Sequence, residues 1–92
     1  MKTPNIDFVM EMTKSYLDGE IDCIDYALDL PYELKNRYNK MAREHREYAE
    51  LIYDCLLVEG AAQYDSLTDA QFKRLIRKQY KYIIGVVKEG FL

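Results

Sequence analysis

The 92-residue sequence has no tryptophan, one histidine, two cysteines, two prolines and four glycines. Each scarcity removes a class of function. A single histidine, His45, leaves no His/Cys metal spacing and no nucleophile–base constellation. The four glycines form no phosphate-cradling loop. Cys23 and Cys55 make no CxxC motif, so they are expected as free, small apolar residues in a reduced compartment. Asp22 beside Cys23 also argues against a reactive thiolate there. No apolar run approaches the roughly 18 residues that would mark a membrane-spanning helix, and MKTPNIDFVMEM has none of the layout of a secretory signal. These absences predict a cytoplasmic, non-enzymatic protein without cofactor, metal or membrane association. With 49% hydrophobic residues, the chain can bury a core, and residues 1–92 are read as one domain.

A further absence is local. Between Lys14 and Lys35 there is no basic residue, but there are six acids: Asp18, Glu20, Asp22, Asp25, Asp29 and Glu33. Five of them, Asp18, Asp22, Asp25, Asp29 and Glu33, recur at three- and four-residue intervals, the rhythm of one helix face. Such a stripe carries like-charge repulsion, and carboxylates near a helix C-terminus also oppose its dipole. A basic surface, internal or on a partner, would offset both; a solvated face is the alternative.

The stripe belongs to a wider alternation. Residues 1–34 hold two lysines against eight acids, whereas residues 35–48 hold five bases against two acids. Residues 49–69 contain five acids and no base, and residues 70–92 contain six bases and one acid. A net charge of −3 in such blocks argues against direct nucleic-acid binding, which usually rests on an excess of basic charge. It favours segments that meet each other, or a partner, by complementary charge.

The periodicity predicts an all-α, single-domain antiparallel bundle of four helices, or five if the long central one is broken. The first helix is expected over 5–18, with Asn5 as cap and Gly19 in a left-handed C′ position. The second is expected over 22–30 and ends before Pro31. From Tyr32 to Glu59 there is neither Gly nor Pro. Leu34, Met41, Tyr48 and Cys55 are spaced by seven, as are Tyr38, His45 and Ile52, so a long helix is expected over 32–58, with a break near Arg43–Arg46 as the alternative. After Gly60, AAQYDSL reads as the longest loop. Thr68 and Gln71 fit a capping box opening a last helix over 69–88. The expected core is Val9, Leu17, Ile24, Leu28, Leu34, Met41, Ile52, Leu56, Phe72, Leu75, Ile76 and Ile83.

Two further features bear on function. Nine tyrosines are too many to bury whole in so small a core, and exposed tyrosines are enriched at recognition surfaces. Tyr26 and Tyr32 lie within the acidic segment. The C-terminal run Lys73–Tyr82 is basic with interleaved aromatics; it is expected to pair with the acidic second helix or to remain a solvated face.

Tyr16-Leu17-Asp18-Gly19-Glu20-Ile21 followed by Asp25-Tyr26 resembles the opening of colicin D immunity-like proteins. Glu59-Gly60, Tyr64-Asp65, Leu67-Thr68-Asp69 and Phe72 resemble the loop and last-helix start of small bacterial immunity proteins. The central stretch departs from that pattern in being more continuous and more basic. The resemblance implies a helical bundle that occludes the active site of a toxin nuclease domain, with acidic residues in place of RNA phosphates. The residue pattern independently points to a basic protein partner, met by Asp18, Asp22, Asp25, Tyr26, Asp29, Tyr32 and Glu33. A phage-encoded inhibitor of a host defence nuclease would use the same mimicry. A helical adaptor or homo-oligomer would instead use the Leu34–Ile52 seam.

Overall fold

Thr3 precedes the first helix, and Pro4 occupies its first position, where a missing N–H costs nothing. In the computed structural model, which describes residues 2–90, α1 spans Pro4–Leu17. It ends as expected on Gly19, at φ +88°. Gly19 N–H donates to the Tyr16 carbonyl and Glu20 N–H to that of Ser15, which together form a Schellman turn. Ile6, Val9, Met10, Thr13 and Tyr16 form its buried side.

The next boundary differs from the sequence expectation. Helix α2 runs unbroken over Cys23–Glu44, with Pro31 inside it. The proline forfeits one backbone hydrogen bond, but Tyr26, Ala27, Leu30, Leu34 and Met41 share one buried face across it. That continuous burial outweighs the local penalty. The same phase corrects the expected core: Ile24 is 56% exposed and Leu28 66%, since both lie across the helix from Tyr26, Leu30 and Leu34.

The break comes instead at His45, the alternative the sequence left open. His45 is extended (φ −165°, ψ 102°), and its Nδ1 accepts the Tyr48 N–H at 3.3 Å, so the imidazole caps α3, Arg46–Ile52. The chain continues as a π-helical segment, Tyr53–Val58, in which Cys55, Leu56 and Leu57 are all buried. Gly60 follows, and the expected loop is mostly a 3₁₀ turn, Ala61–Ser66. Helix α4, Asp69–Lys88, opens with the expected capping box. Thr68 Oγ1 accepts the Gln71 N–H, and Gln71 Oε1 accepts the Thr68 N–H. The described residues are therefore all-α, with four α-helices divided at His45 rather than at Pro31.

The core joins all four. Val9, Leu34, Met41, Ile52, Leu56, Phe72, Ile76 and Ile83 are buried as expected, and Leu17 and Leu75 are half-buried. Tyr16 and Tyr26 stack with ring centroids 4.4 Å apart, and both tilt against Phe72. Because Thr13 Oγ1 donates to the Val9 carbonyl, it is left to accept from the Tyr26 hydroxyl at 2.8 Å. The heptad seam is consumed internally: Leu34, Met41, Ile52 and Cys55 are buried, and Tyr38 packs edge-on against Tyr53. It offers no apolar stripe to a second chain.

A carboxylate closes the bundle. Glu44, the last residue of α2, accepts N–H bonds from Asn5 and Ile6, each at 3.0 Å, and the Asn5 side-chain amide at 2.7 Å. It satisfies free donors at the α1 N-terminus from 38 and 39 residues away. Desolvation alone would raise the Glu44 carboxyl, but these donors and Arg37 outweigh it and hold the pKa below its ordinary value. A depressed folded pKa stabilises the fold above the unfolded value and loses that effect as pH falls through the folded one. Glu44→Gln is therefore expected to lower stability at neutral pH by at most about 1.5–3 kcal/mol, the range for hydrogen bonds to a charged group. The gap from wild type should close as pH falls below the ordinary glutamate value of 4.5. Denaturant titrations at stepped pH measure it, and a gap independent of pH would assign the loss to something other than the charge.

Candidate protein-binding interface

The seven residues expected to face a partner divide once placed in the fold. Asp18 lies outside α2 at the C-cap of α1, where its carboxylate pairs with Lys14 at 2.7 Å. Glu33 is half-buried and accepts from Arg37 Nε at 3.1 Å. Arg37 also donates to Asn5 Oδ1 at 2.8 Å and sits 3.7 Å over the Phe8 ring, so Glu33 belongs to an internal network ending at Glu44. Tyr26 is fully buried and cannot meet a partner. Burial pushes its phenol well above the ordinary tyrosine range, with the Thr13 hydrogen bond acting in the opposite direction. Its ring belongs to the core because Tyr26 shares the phase of Leu30 and Leu34.

Asp22, Asp25, Asp29 and Tyr32 do stand on the outside of α2. Asp22 is the N-cap residue and Asp25 lies in the first turn, where the positive end of the helix favours them. The expected conflict with the dipole further along disappears, because α2 continues to Glu44 and Asp29 sits mid-helix. The ion pairs among the described residues are Lys14–Asp18 and Arg37–Glu33. Neither involves Asp22, Asp25 or Asp29. The expected pairing of this acidic segment with the bases of α4 is therefore absent from the fold.

What sequence reasoning missed is apolar. Ile24, Leu28 and Tyr32 follow one another at four-residue intervals, and Tyr32 is 68% exposed. They make a stripe beside Asp25 and Asp29. The signal was available in the sequence, since 24, 28 and 32 cannot share a face with 26, 30 and 34 on a helix of 3.6 residues per turn. Towards the C-terminal half of α2 the outer face reaches an open groove of about 440 Å³ lined by Lys35, Tyr38, Asn39 and Tyr53. Tyr53 comes from the start of the π-helical segment, a local geometry often found at functional sites.

Burial pushes the Cys23 thiol up, as it does that of Cys55, which disfavours the nucleophilic thiolate. Among the described residues no group of three His, Cys, Asp or Glu side chains is placed to hold a metal ion. No described helix is long and apolar enough to cross a membrane. What the arrangement can do chemically is bind, through exposed aliphatic and aromatic surface set among uncompensated carboxylates. Comparison with protein-family models, curated proteins and solved structures gives no match for this chain.

Proposed function

We propose that the outer face of α2 binds a protein with a basic surface, and that the chain acts in the cytoplasm as an immunity-type inhibitor that occludes a toxin nuclease domain. One observation carries this reading. Asp25 and Asp29 are exposed without a cationic partner, directly beside a solvent-exposed Ile24–Leu28–Tyr32 stripe. Carboxylates attract a cationic groove and speed encounter. The aliphatic and aromatic side chains supply the desolvated centre that gives an interface its strength. A nuclease substrate groove is cationic because it holds phosphates, so the acidic face stands in for the substrate and no chemistry is required. The resemblance of the 16–26 and 59–72 segments to immunity proteins supports the same reading.

The test begins with co-purification from the native host and identification of the bound protein. Wild type and two variants are then titrated against that purified partner, and its nuclease activity is assayed. Asp25→Asn with Asp29→Asn should weaken binding tenfold or more and flatten its salt dependence, because exposed charges interact over about 8–10 Å at moderate ionic strength. Leu28→Ser should weaken binding while leaving the salt dependence intact. Both variants should melt within a few degrees of wild type, since neither site is paired or buried and surface substitutions of this kind change stability by about 0.5 kcal/mol or less. Unchanged affinity in both would remove the proposal. An unchanged nuclease activity in the complex would keep the surface and discard the inhibitor role.

A further inference from the structure

The basic face of α4 is as conspicuous as the acidic face of α2, and the fold leaves it without an ionic partner. From Ala70 to Lys88 the helix contains no acid. Arg74, Arg77, Lys78 and Lys81 are all exposed on the side opposite Phe72, Ile76 and Ile83. None of the four enters an ion pair among the described residues. Lys73 is turned away from them, with its ammonium 5.6 Å from the centre of the Tyr16 ring. Beyond Lys81 the surface is apolar until Lys88 and Glu89 at the end of the helix. Tyr82 is 58% exposed and, with Gly85, Val86 and Glu89, borders a depression of about 300 Å³. Gly85 leaves its floor bare, since a Cβ built there meets nothing within 4 Å.

These features match the α2 face in sign, spacing and shape. Asp25 and Asp29 are one helical turn apart, as are Arg77 and Lys81, so each pair spans about 6 Å along its axis. With the two helices parallel, Asp25 against Arg77 and Asp29 against Lys81, Tyr32 falls beside Gly85. Lys35 then lies towards Glu89, the acid that follows the basic run. Cations meet carboxylates, a projecting aromatic meets a depression, and Lys35 also finds an acid, Glu89, at the far end, next to Lys88. We propose that a second copy of this chain docks its α4 face on the Ile24–Leu28–Tyr32 and Asp25–Asp29 face of α2, in a head-to-tail contact. The contact is heterologous, so a pair retains one open α4 face on one copy and one open α2 face on the other, and further copies can add. This inference goes beyond the inhibitor reading and does not depend on it. If both hold, the self-contact and the basic partner compete for one surface.

Sedimentation velocity on the full chain over a range of concentrations tests it. Wild type should show a sedimentation coefficient that rises with concentration in about 0.1 M salt and returns to the monomer value in about 1 M salt, where the screening length falls from about 10 Å to about 3 Å. Asp25→Lys with Asp29→Lys should be monomeric, as should Arg77→Glu with Lys81→Glu. An equimolar mixture of those two variants should associate again, because the reversed α2 face of one meets the reversed α4 face of the other. Gly85→Leu fills the depression, favours the helix and should abolish association without lowering the melting temperature. Circular dichroism melts establish that each variant is folded. A wild type that stays monomeric at every concentration in low salt overturns the proposal, as does failure of the folded charge-reversed variants to associate when mixed. A monomeric wild type that shifts with duplex DNA would likewise overturn it and assign the α4 face to a polyanion.

Discussion

Gly60→Ala is expected to lower the melting temperature by on the order of 10–20 °C, or to prevent folding. Gly60 is buried where the π-helical segment turns into the 3₁₀ turn. A Cβ there would lie 2.6 Å from the Leu56 carbonyl oxygen, 2.9 Å from Ile76 Cδ1 and 3.0 Å from the Cys55 carbonyl oxygen. A side-chain terminus can move aside; two backbone carbonyls in a hydrogen-bonded helical segment cannot do so cheaply. The insertion belongs at or above the upper end of ordinary overpacking, about 3 kcal/mol. For a chain of this size each 1 kcal/mol shifts the melting point by about 4–8 °C. Shortening the neighbour as well, in Gly60→Ala with Ile76→Val, should recover little, since both carbonyl contacts remain. Calorimetric melts of the single and double variants measure this. A single variant within 3 °C of wild type would show that the 55–60 backbone yields easily and that the glycine is there for another reason.

The sequence carried the helix ends more reliably than the divisions between helices. Gly19 and the Thr68–Gln71 box were legible because a left-handed turn and a reciprocal cap are each made by a few adjacent residues. Pro31 misled because its penalty is local, whereas the reward for continuing α2, a shared buried face from Tyr26 to Met41, is spread over many residues. His45 lay in phase with the apolar seam, so its use as a cap depended on a break that periodicity does not register. Glu44 was out of reach for a different reason. Its partners, Asn5 and Ile6, are distant in sequence, and only the completed bundle brings the α2 C-terminus to the α1 N-terminus.

The acidic stripe was partly legible. Its helical phase placed Asp25 and Asp29 correctly on one exposed surface, but phase alone could not say which neighbours came with them. Assigning Ile24 and Leu28 to the core and Tyr26 to the partner-facing side is the reverse of what the fold does. The error arose from ending the helix at Leu30. A nine-residue helix ending at Leu30 cannot be phased against Leu34 and Met41, so nothing selects the Tyr26–Leu30 side over the Ile24–Leu28 side. In a 22-residue helix the Leu30–Leu34–Met41 phase already supplies the core, and the out-of-phase residues are released to the surface.

That reassignment makes a paired prediction with opposite outcomes for like residues. Ile52→Ala and Ile76→Ala remove fully buried side chains and should each cost about 2–5 kcal/mol, the transfer energy of the lost methyl groups plus the cavity left behind. Ile24→Ala and Leu28→Ala remove side chains that are more than half exposed and should fall within about 0.5 kcal/mol of wild type, as surface substitutions away from special features do. Denaturant unfolding of all four variants reads the difference directly, and unchanged slopes would show that the same surface is exposed on unfolding in each. A cost near zero at Ile52 and Ile76 would mean that the core faces are wrong. A cost above about 2 kcal/mol at Ile24 or Leu28 would mean that the stripe is covered within the monomer, and it would remove the apolar half of the binding surface. With the expected split, stability and recognition are carried by opposite sides of α2, so the outer side can be altered to test partner binding and self-association without disturbing the fold.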